Sequence, residues 1–306
     1  MDFRLVETSA DSLKQYCKLF QLCFPSGSHL ADAAKATYYL TWLYRDNPEG
    51  GVVGFDAWDG YILAAHYSTI PVCWSFCGTL YNGLLSLNTA THPDFRRQGL
   101  FTRLAEATYG AASDQNYDFI IGVANQNSTP GFIRKLDFTL VSPLDACIGM
   151  GGLPSKTRHH LSISADLIRH HWSNKSFSWR RLNPNNPGRL IGQNKNIRQI
   201  EADTGKVFVK AYAEIPLNKS SNTLKRFTIN PRLILGMLPK GMSWGRYIPV
   251  PEMLRPSAIY GAVCAGRSES RMTNNRAGRR CAWSSRRGWS YGWERRGLRP
   301  GGEHRP

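Results

Sequence analysis

A basic loop that contains glycine precedes an amphipathic segment in the run THPDFRRQGLFTRLAEAT, residues 91–108. The first N–H groups of a helix have no partner inside the helix, and the helix dipole adds partial positive charge there. An anion is therefore stabilised at such a position. Arg96 and Arg97 add charge, and Gly99 has no Cβ to keep a phosphate from the main chain. The pattern predicts a phosphate-binding loop, and a solvated basic helix start is the alternative.

The segments around this loop predict an α/β domain. Apolar residues after the loop recur on one helix face, at Leu100, Leu104, Ala107 and Ala111. Strand patterns occupy residues 2–7, 51–58, 61–76, 79–93 and 118–125, with a hairpin turn at Asp59-Gly60. Helix patterns occupy residues 9–24, 31–44 and 130–136, and residues 138–151 read as a closing strand pair. We therefore expect the loop to join a strand to a helix that packs on a mixed sheet.

The length and charge of the chain point to two domains and a basic tail. The 306 residues are 42% hydrophobic, which suits two domains. The formal net charge is +17, but residues 266–306 hold eleven arginines against three glutamates. That tail has few aliphatic residues and no period, so we expect it to be disordered, and an out-of-frame translation would have this composition. An Arg/Trp segment that binds nucleic acid or a membrane surface is the alternative.

Residues 85–138 resemble the acyl-CoA core of the GNAT N-acetyltransferase superfamily. THPDFRRQGLF and VANQNSTPGFIRKLDF match its glycine loop, its strand ending in Asn and its short helix, in order and spacing. These motifs are similar to those of two-lobed bacterial members that modify amines of sugars, antibiotics or peptides. The resemblance implies an α/β GNAT fold and acetyl-CoA, or another acyl-CoA, as co-substrate.

The resemblance also implies positions for the cofactor. The pyrophosphate is expected on the main-chain N–H groups of Arg97 to Thr102, with Arg96 at the first position of the motif. The pantetheine arm is expected along the strand end and against Asn125, and a main-chain amide near Thr91 is expected to polarise the thioester carbonyl. The implied cofactor residues are Thr89, Ala90, Thr91, Arg96, Arg97, Gln98, Gly99, Leu100, Phe101, Thr102 and Asn125.

Three positions depart from the family pattern. Phe101 stands where the loop motif has a small residue, and Asp137 replaces the glycine before the final Phe, although Asp takes a left-handed backbone more readily than most residues. The tyrosine that reprotonates the CoA thiolate in many members falls at Ile133, which has no proton to donate. The general acid is therefore unassigned.

Three residues are candidates for the general base that deprotonates the amine. They are Asp56, His66 and His92. Each has a structural alternative: Asp56 as a turn cap, His66 as a satisfied core histidine, and His92 as a residue that fixes the corner between strand and loop.

A degenerate internal repeat is predicted in the second half of the chain. Residues 39–48 and 176–187 share Trp, Arg and Asn-Pro, and residues 61–72 match residues 206–217 at Tyr, Ile and Pro under an offset of 145. Chance similarity of strand-turn segments is the alternative. We expect domains at residues 1–155 and 161–260, the second a GNAT-like lobe without a glycine loop.

No metal site is predicted. The pair Cys73 and Cys77 lacks a second pair at finger-like spacing and is expected to be buried strand thiols. The doublets His159-His160 and His170-His171 lack accompanying ligands and are expected on the solvated surface. Seven cysteines without a framework, and no apolar run that spans a bilayer, favour a cytoplasmic protein.

The interpretation that follows is an N-acetyltransferase acting on a small-molecule or peptide amine, with membrane and nucleic-acid partners not expected. The alternatives are a catalytically inactive GNAT-like CoA-binding module and a protein that binds nucleic acid through its basic tail.

Overall fold

The computed structural model describes residues 1–25, 32–125, 128–157, 169–193, 197–205, 208–216, 231–236, 242–251 and 259–265. The predicted tail at 266–306, the doublet His159-His160 and the predicted lobe start at Leu161 lie outside these residues. The helices are α1 (Ala10–Cys23), α2 (Ala33–Tyr44), α3 (Leu100–Asp114), α4 (Thr129–Lys135) and α5 (Asn174–Arg181). The strands are β1 (Asp2–Leu5), β2 (Val53–Asp59), β3 (Ile62–Phe76), β4 (Thr79–Thr91), β5 (Phe119–Asn125), β6 (Thr139–Pro143), β7 (Asp145–Gly149), β8 (Arg169–His170), β9 (Arg189–Gln193), β10 (Ile197–Asp203), β11 (Lys210–Pro216), β12 (Arg232–Gly236), β13 (Ile248–Pro249) and β14 (Ile259–Ala265).

The predicted elements of the first half are present, and side-chain caps set the starts of the first two helices. Ser9 accepts a hydrogen bond from the N–H of Ser12 at 3.1 Å, so α1 begins at Ala10. Asp32 caps α2 in the same way, through the N–H groups of Ala34 and Lys35. The prediction had begun this helix at residue 31, because the apolar pattern alone does not locate the cap.

The first sheet has the order β1-β2-β3-β4-β5-β14-β6, with β8 paired to β3. Neighbouring strands from β1 to β4 are antiparallel, whereas β4 and β5 are parallel. A mixed sheet of this kind with helices on both faces confirms the predicted α/β fold class.

Two apolar layers cover the two faces of this sheet. One contains side chains of α1 and α2, and the other contains α3 and the short helix α4. The buried side chains of α3 are Leu100, Leu104, Ala105, Thr108 and Ala112. Leu100 and Leu104 were predicted on this face, but Ala107 and Ala111 are only half-buried. The core stripe is therefore rotated by about one residue from the predicted one.

The predicted closing strand pair at residues 138–151 is wrong as a pair. β6 belongs to the first sheet, where it pairs with β14, while β7 belongs to the second sheet, where it pairs with β12 and β13. The chain therefore passes from one sheet to the other between Pro143 and Asp145. The apolar alternation of the two strands was read correctly, but alternation does not identify a partner.

The second sheet has the order β13-β7-β12-β11-β10-β9. Its interior holds an ion pair, because Arg232 is 1% exposed and donates from Nε to Glu201 Oε1 at 2.9 Å. The guanidinium also donates to the carbonyl of Gly151 at 2.7 Å and lies 4.0 Å from the ring centroid of Tyr212. Every charge in this cluster therefore has a partner, as buried charges require.

The sheets do not divide where the predicted domains divide. β7 comes from the predicted first domain and lies in the second sheet, and β14, which runs past residue 260, lies in the first. The sheet membership thus crosses the predicted boundaries in both directions. Among the described residues, no helix is long and apolar enough to span a bilayer.

Candidate functional site

The basic loop has the geometry that its sequence predicts. Arg96, Arg97, Gln98 and Gly99 are exposed, and Gly99 has a left-handed backbone with φ 71° at the N-cap of α3. A Cβ built on Gly99 would meet no atom within 4 Å. The space beside the main chain is therefore open to a ligand.

The start of α3 offers hydrogen-bond donors. The first helical bond runs from the N–H of Arg103 to the carbonyl of Gly99 at 3.1 Å, and no side chain caps the helix. The N–H groups of Leu100, Phe101 and Thr102 therefore precede the first intrahelical bond. These donors, with the exposed guanidinium groups of Arg96 and Arg97, suit a phosphate group.

A gap between two parallel strands opens towards this loop. The β4–β5 ladder runs from the Gly83–Phe119 pair to the Ser86–Gly122 pair and ends there, although β4 continues to Thr91 and β5 to Asn125. Beyond the gap, β5 pairs with β14. Main-chain groups of β4 at residues 87–91 therefore border the gap, where an extended ligand arm could pair with them.

The predicted cofactor residues fall along this path. Thr89 and Thr91 are half-buried on β4, and Ala90 is buried and pairs with His66 of β3. Asn125 ends β5, and its main chain pairs with Ile259 of β14. The structure thus brings the loop and the end of β4 together, with Asn125 at the end of the strand across the gap.

Sequence reasoning missed a cysteine beside this path. The Cys23 thiol donates to the carbonyl of Thr91 at 3.3 Å. Burial raises the pKa of this thiol, and the nearby Arg96 guanidinium opposes that increase. Nothing in the local sequence of α1 signals this contact, because the two residues are separated by 68 positions.

His92 fixes the corner between β4 and the loop. Its Nδ1 accepts a hydrogen bond from the N–H of Asp94 at 3.3 Å, and its own N–H donates to the carbonyl of Ala64 at 2.9 Å. The side chain is 22% exposed. A neutral ring whose Nδ1 accepts carries its proton on Nε2. In this arrangement Nε2–H is a hydrogen-bond donor, and Nε2 cannot accept a proton.

The other two base candidates form a buried pair. His66 is 0% exposed and Asp56 is 2% exposed, and His66 Nδ1 lies 2.6 Å from Asp56 Oδ1. The Tyr16 hydroxyl donates to Asp56 Oδ2 at 2.7 Å. Burial, followed by the charge of Asp56, raises the pKa of Tyr16, so this hydroxyl remains a donor. Neither His66 nor Asp56 is exposed to a substrate in the gap.

The three departures from the family pattern have clear placements. The Phe101 ring packs between Tyr67 and Phe132, with centroids 5.8 and 5.4 Å away. Asp137 has φ 56°, so it takes the left-handed backbone expected at that position. Ile133 is half-buried on α4 and cannot donate a proton.

Among the described residues, no group of three or more His, Cys, Asp or Glu side chains could hold a metal. Cys73 is buried on β3, as predicted, but Cys77 is half-buried in the turn between β3 and β4, so the prediction was wrong for Cys77. The prediction for His170-His171 was wrong, because both residues are half-buried and the His170 ring lies 4.0 Å from that of Trp172. Burial lowers the pKa of His170 to about 4, with smaller contributions from Arg180 and His171.

The comparisons with known proteins agree with this geometry. The acetyltransferase (GNAT) domain family matches residues 4–141. A GCN5-related N-acetyltransferase from Anabaena variabilis superposes with a TM-score of 0.55 at 13% identity, over 87% of this chain and 73% of that one. Eis1 from Mycobacterium abscessus superposes with a TM-score of 0.54 at 10% identity, over 85% and 73%.

A conserved protein of unknown function from Enterococcus faecalis superposes with a TM-score of 0.60 at 10% identity, over 87% of this chain and 73% of that one. At such identities these structures show a shared fold alone. No curated protein matches the sequence.

Proposed function

We propose that this chain, whose residues 4–141 match the acetyltransferase (GNAT) domain family, transfers an acyl group, most simply acetyl, from acyl-CoA to an amine. The observation that carries this proposal is the uncapped start of α3 beside the open gap between β4 and β5. Acyl-CoA is the co-substrate that joins these two features, because it combines a pyrophosphate with an extended arm.

The loop residues supply binding energy in this proposal. The pyrophosphate contacts the main-chain N–H groups from Arg97 to Thr102, and Arg96 adds positive charge. Gly99 matters because a large or acidic side chain there would occupy the phosphate position or repel the phosphate. The pantetheine arm pairs with main-chain groups of residues 89–91, and Asn125 contacts it from β5.

Acyl transfer needs three functions from the protein. A main-chain N–H near Thr91 stabilises the oxyanion that forms on the thioester carbonyl. The attacking amine must lose a proton, and the leaving thiolate must gain one. Because Asp56 and His66 are buried, the groups that contact the amine are water or residues nearer the gap.

His92 is better suited to stabilise the leaving thiolate than to deprotonate the amine. Its Nδ1 accepts from the N–H of Asp94, which leaves a proton on Nε2. A neutral ring does not give up that proton to a thiolate, because an imidazolate would result, but its Nε2–H can donate a hydrogen bond to the sulfur. His92 is therefore a candidate hydrogen-bond donor in this proposal, in place of the base role that the sequence suggested, and the acid that protonates the thiolate stays unassigned.

The second sheet is proposed to be a degenerate GNAT-like lobe that faces the acceptor. Under the offset of 145, Asp56 corresponds to Glu201 and Tyr67 to Tyr212, and in both lobes the acid is buried on one strand of an antiparallel hairpin. In the turns at Asn47 and Asn183, the side-chain oxygen of the Asn accepts a hydrogen bond from the main-chain N–H two residues later. These correspondences favour duplication over chance similarity of the two segments.

The acceptor class is proposed to be a small-molecule or peptide amine in the cytoplasm, where thiols stay reduced. Release of CoA thiol from acetyl-CoA, measured with a panel of amino sugars, aminoglycosides, polyamines and peptides, tests the activity. Amine-dependent release well above the uncatalysed rate is expected. CoA binding without release for any amine would favour the inactive binding module.

A further inference from the structure

A chain of buried polar side chains runs through the α1/α2 face of the first sheet and ends at β4. We call it the Tyr44 array, and its members are Tyr16, Tyr44, Asp56, His66, Ser68 and Asn88. Except for the half-buried Asn88, every member is 2% exposed or less. The buried Asp56–His66 pair described above lies at one end of the array. The rings of Tyr16 and Phe20 cover His66 at centroid distances of 4.4 and 5.5 Å.

The Tyr44 hydroxyl is the centre of this array. It lies 2.9 Å from His66 Nε2 and 2.9 Å from Ser68 Oγ, and it accepts a hydrogen bond from Asn88 Nδ2 at 3.1 Å. Ser68 in turn donates to the carbonyl of Leu87 at 3.2 Å. The array therefore connects the buried pair to two consecutive residues of β4.

Those two residues lie at an irregularity of β4 beside the gap. His66 pairs with Ala90, but Ser68 pairs with Leu87, so Asn88 and Thr89 together lie opposite one residue of β3. Asn88 has φ 50°, a left-handed backbone that is unfavourable for a residue with a Cβ. The β4–β5 ladder ends at Ser86, immediately before this bulge. The array thus holds the part of β4 that borders the gap.

The hydrogen bonds determine where the protons lie. A carbonyl only accepts, so the Ser68 proton points to Leu87, and the Tyr44 proton must then point to Ser68. The contact between Tyr44 and His66 Nε2 therefore needs a proton on Nε2. A second proton lies between Nδ1 and Asp56, where the Tyr16 hydroxyl favours the carboxylate. With all these bonds formed, the Asp56–His66 pair is an imidazolium–carboxylate pair.

We propose that Tyr44 is a positioning residue for acyl transfer, held by the Asp56–His66 ion pair and acting through the bulge at Asn88. By fixing the left-handed Asn88 and the Leu87 carbonyl, it aims the main-chain groups of residues 88–91 at the reacting thioester. This proposal rests on the proposed acyltransferase function. It assigns Asp56 and His66, which are too deeply buried to contact the amine, an indirect role in catalysis.

Kinetics of Tyr44→Phe separate positioning from binding. Loss of the hydroxyl frees Asn88 and Ser68, and small misplacements of reacting groups are costly, so kcat should fall about tenfold to a hundredfold. The KM for acetyl-CoA should change less than kcat, because the pyrophosphate loop is untouched and only the contacts of the pantetheine arm with residues 89–91 are affected. Ser68→Ala should lower kcat in the same way. The matched control is Thr69→Val, which removes a buried hydroxyl that donates to the Val53 carbonyl at 2.7 Å, away from the bulge.

Nuclear magnetic resonance provides readouts that do not need turnover. In the unmodified protein at neutral pH, His66 should show protons on both ring nitrogens. The amide signals of Asn88 and Thr89 should move in Tyr44→Phe and remain in place in Thr69→Val. An unprotonated Nε2, unmoved bulge amides, or a wild-type kcat in both Tyr44→Phe and Ser68→Ala would overturn the proposal. If the protein binds CoA but transfers no acyl group, the proposed function fails, and the two magnetic resonance readouts still decide whether the array holds the bulge.

Discussion

At the scale of single residues, the site consists of groups whose roles depend on their surroundings. The same residue type, histidine, occurs as a corner cap at His92, as a buried ion-pair partner at His66 and as a half-buried ring at His170. At His92 and His66 the neighbouring donor or acceptor determines which nitrogen carries a proton, whereas at His170 burial lowers the pKa of the ring. Sequence position alone did not distinguish these three environments.

The low pKa of His170 predicts acid sensitivity of the fold. Its folded pKa of about 4 lies below the unfolded value of about 6.5, so the unfolded chain binds the proton more tightly. Its contribution to the free energy of unfolding is complete above pH 6.5 and is lost as the pH falls towards 4. The loss is at most about 3 kcal/mol, since one unit corresponds to about 1.36 kcal/mol.

Denaturant unfolding at several pH values tests this prediction. His170→Phe should lose less stability than the wild type between pH 6.5 and pH 4, because the titrating ring is gone. Trp172→Phe alters the same aromatic cluster without removing the ring, and it should keep the wild-type pH dependence. Parallel curves for His170→Phe and the wild type would contradict the assignment.

The sequence predicted the residues of the loop better than the residues behind it. Arg96 to Gly99 are adjacent in the chain, and their chemistry follows from a local rule about helix starts. The Tyr44 array joins residues separated by up to 44 positions in a single bond, from Tyr44 to Asn88. One signal was present, because His66 and Ser68 are polar residues on the same face of an apolar strand. The other members of the array, Tyr16 on α1 and Tyr44 on α2, gave no local signal.

At the scale of elements, a pair of stacked tryptophans joins α2 to α5. Trp42 of α2 stacks on Trp179 of α5 with a centroid distance of 4.5 Å and an interplanar angle of 17°. Each indole N–H donates to the main-chain carbonyl of the other tryptophan, at 3.1 and 3.0 Å. The two residues were aligned in the predicted repeat, and the contact between them is reciprocal.

A double-mutant cycle should detect this reciprocity. Trp42→Phe and Trp179→Phe each remove one hydrogen bond and part of the stack, and the two changes should be non-additive by about 1 kcal/mol or more. The measurement is the free energy of unfolding of the two single variants and the double variant. The control cycle combines Trp42→Phe with Trp74→Phe, whose ring packs on Phe119. Additivity in the Trp42–Trp179 cycle would show that the contact contributes little.

β14 is the element that the sequence placed least well. It lies between β5 and β6 and pairs with β5 over seven residue pairs and with β6 over four. The predicted second domain, residues 161–260, ended inside this strand, and no pairing with β5 or β6 was predicted. Pairing between Phe119 and Ala265 joins residues that nearly half of the chain separates, and no local pattern specifies such a distant partner.

Two truncations test the role of β14. A chain that ends at residue 258 exposes the edges of β5 and β6, so it should melt at a lower temperature and aggregate. A chain that ends at residue 265 keeps every described pairing and should melt like the full chain. Equal melting temperatures for the two truncated chains would contradict the pairing of β14 with β5 and β6.

At the scale of the whole molecule, the gap between β4 and β5 of the first sheet and the uncapped start of α3 form the site proposed for acyl-CoA. The fold class, the order of the first eleven elements and the loop were predictable, because each depends on short-range periodicity or a short motif. The sheet exchange of β7 and β14 depends on long-range pairing and was not predictable. The sequence motif and the geometry of the loop both support the proposal that the loop before α3 binds the CoA pyrophosphate.

Thermal unfolding with CoA tests that claim most directly. CoA at about a hundred times its dissociation constant should add about 2.7 kcal/mol of stability and raise the melting temperature by about 4 °C if the lobes melt together. Gly99→Glu should abolish the shift, because it places a negative charge where the phosphates bind. Gly99→Ala is the matched control, since both variants strain a backbone at φ 71° but only one adds charge. Without ligand, both variants should melt at a lower temperature than the wild type. We expect a CoA shift that is kept in Gly99→Ala and lost in Gly99→Glu, and a full shift in Gly99→Glu would show that the loop does not bind the pyrophosphate.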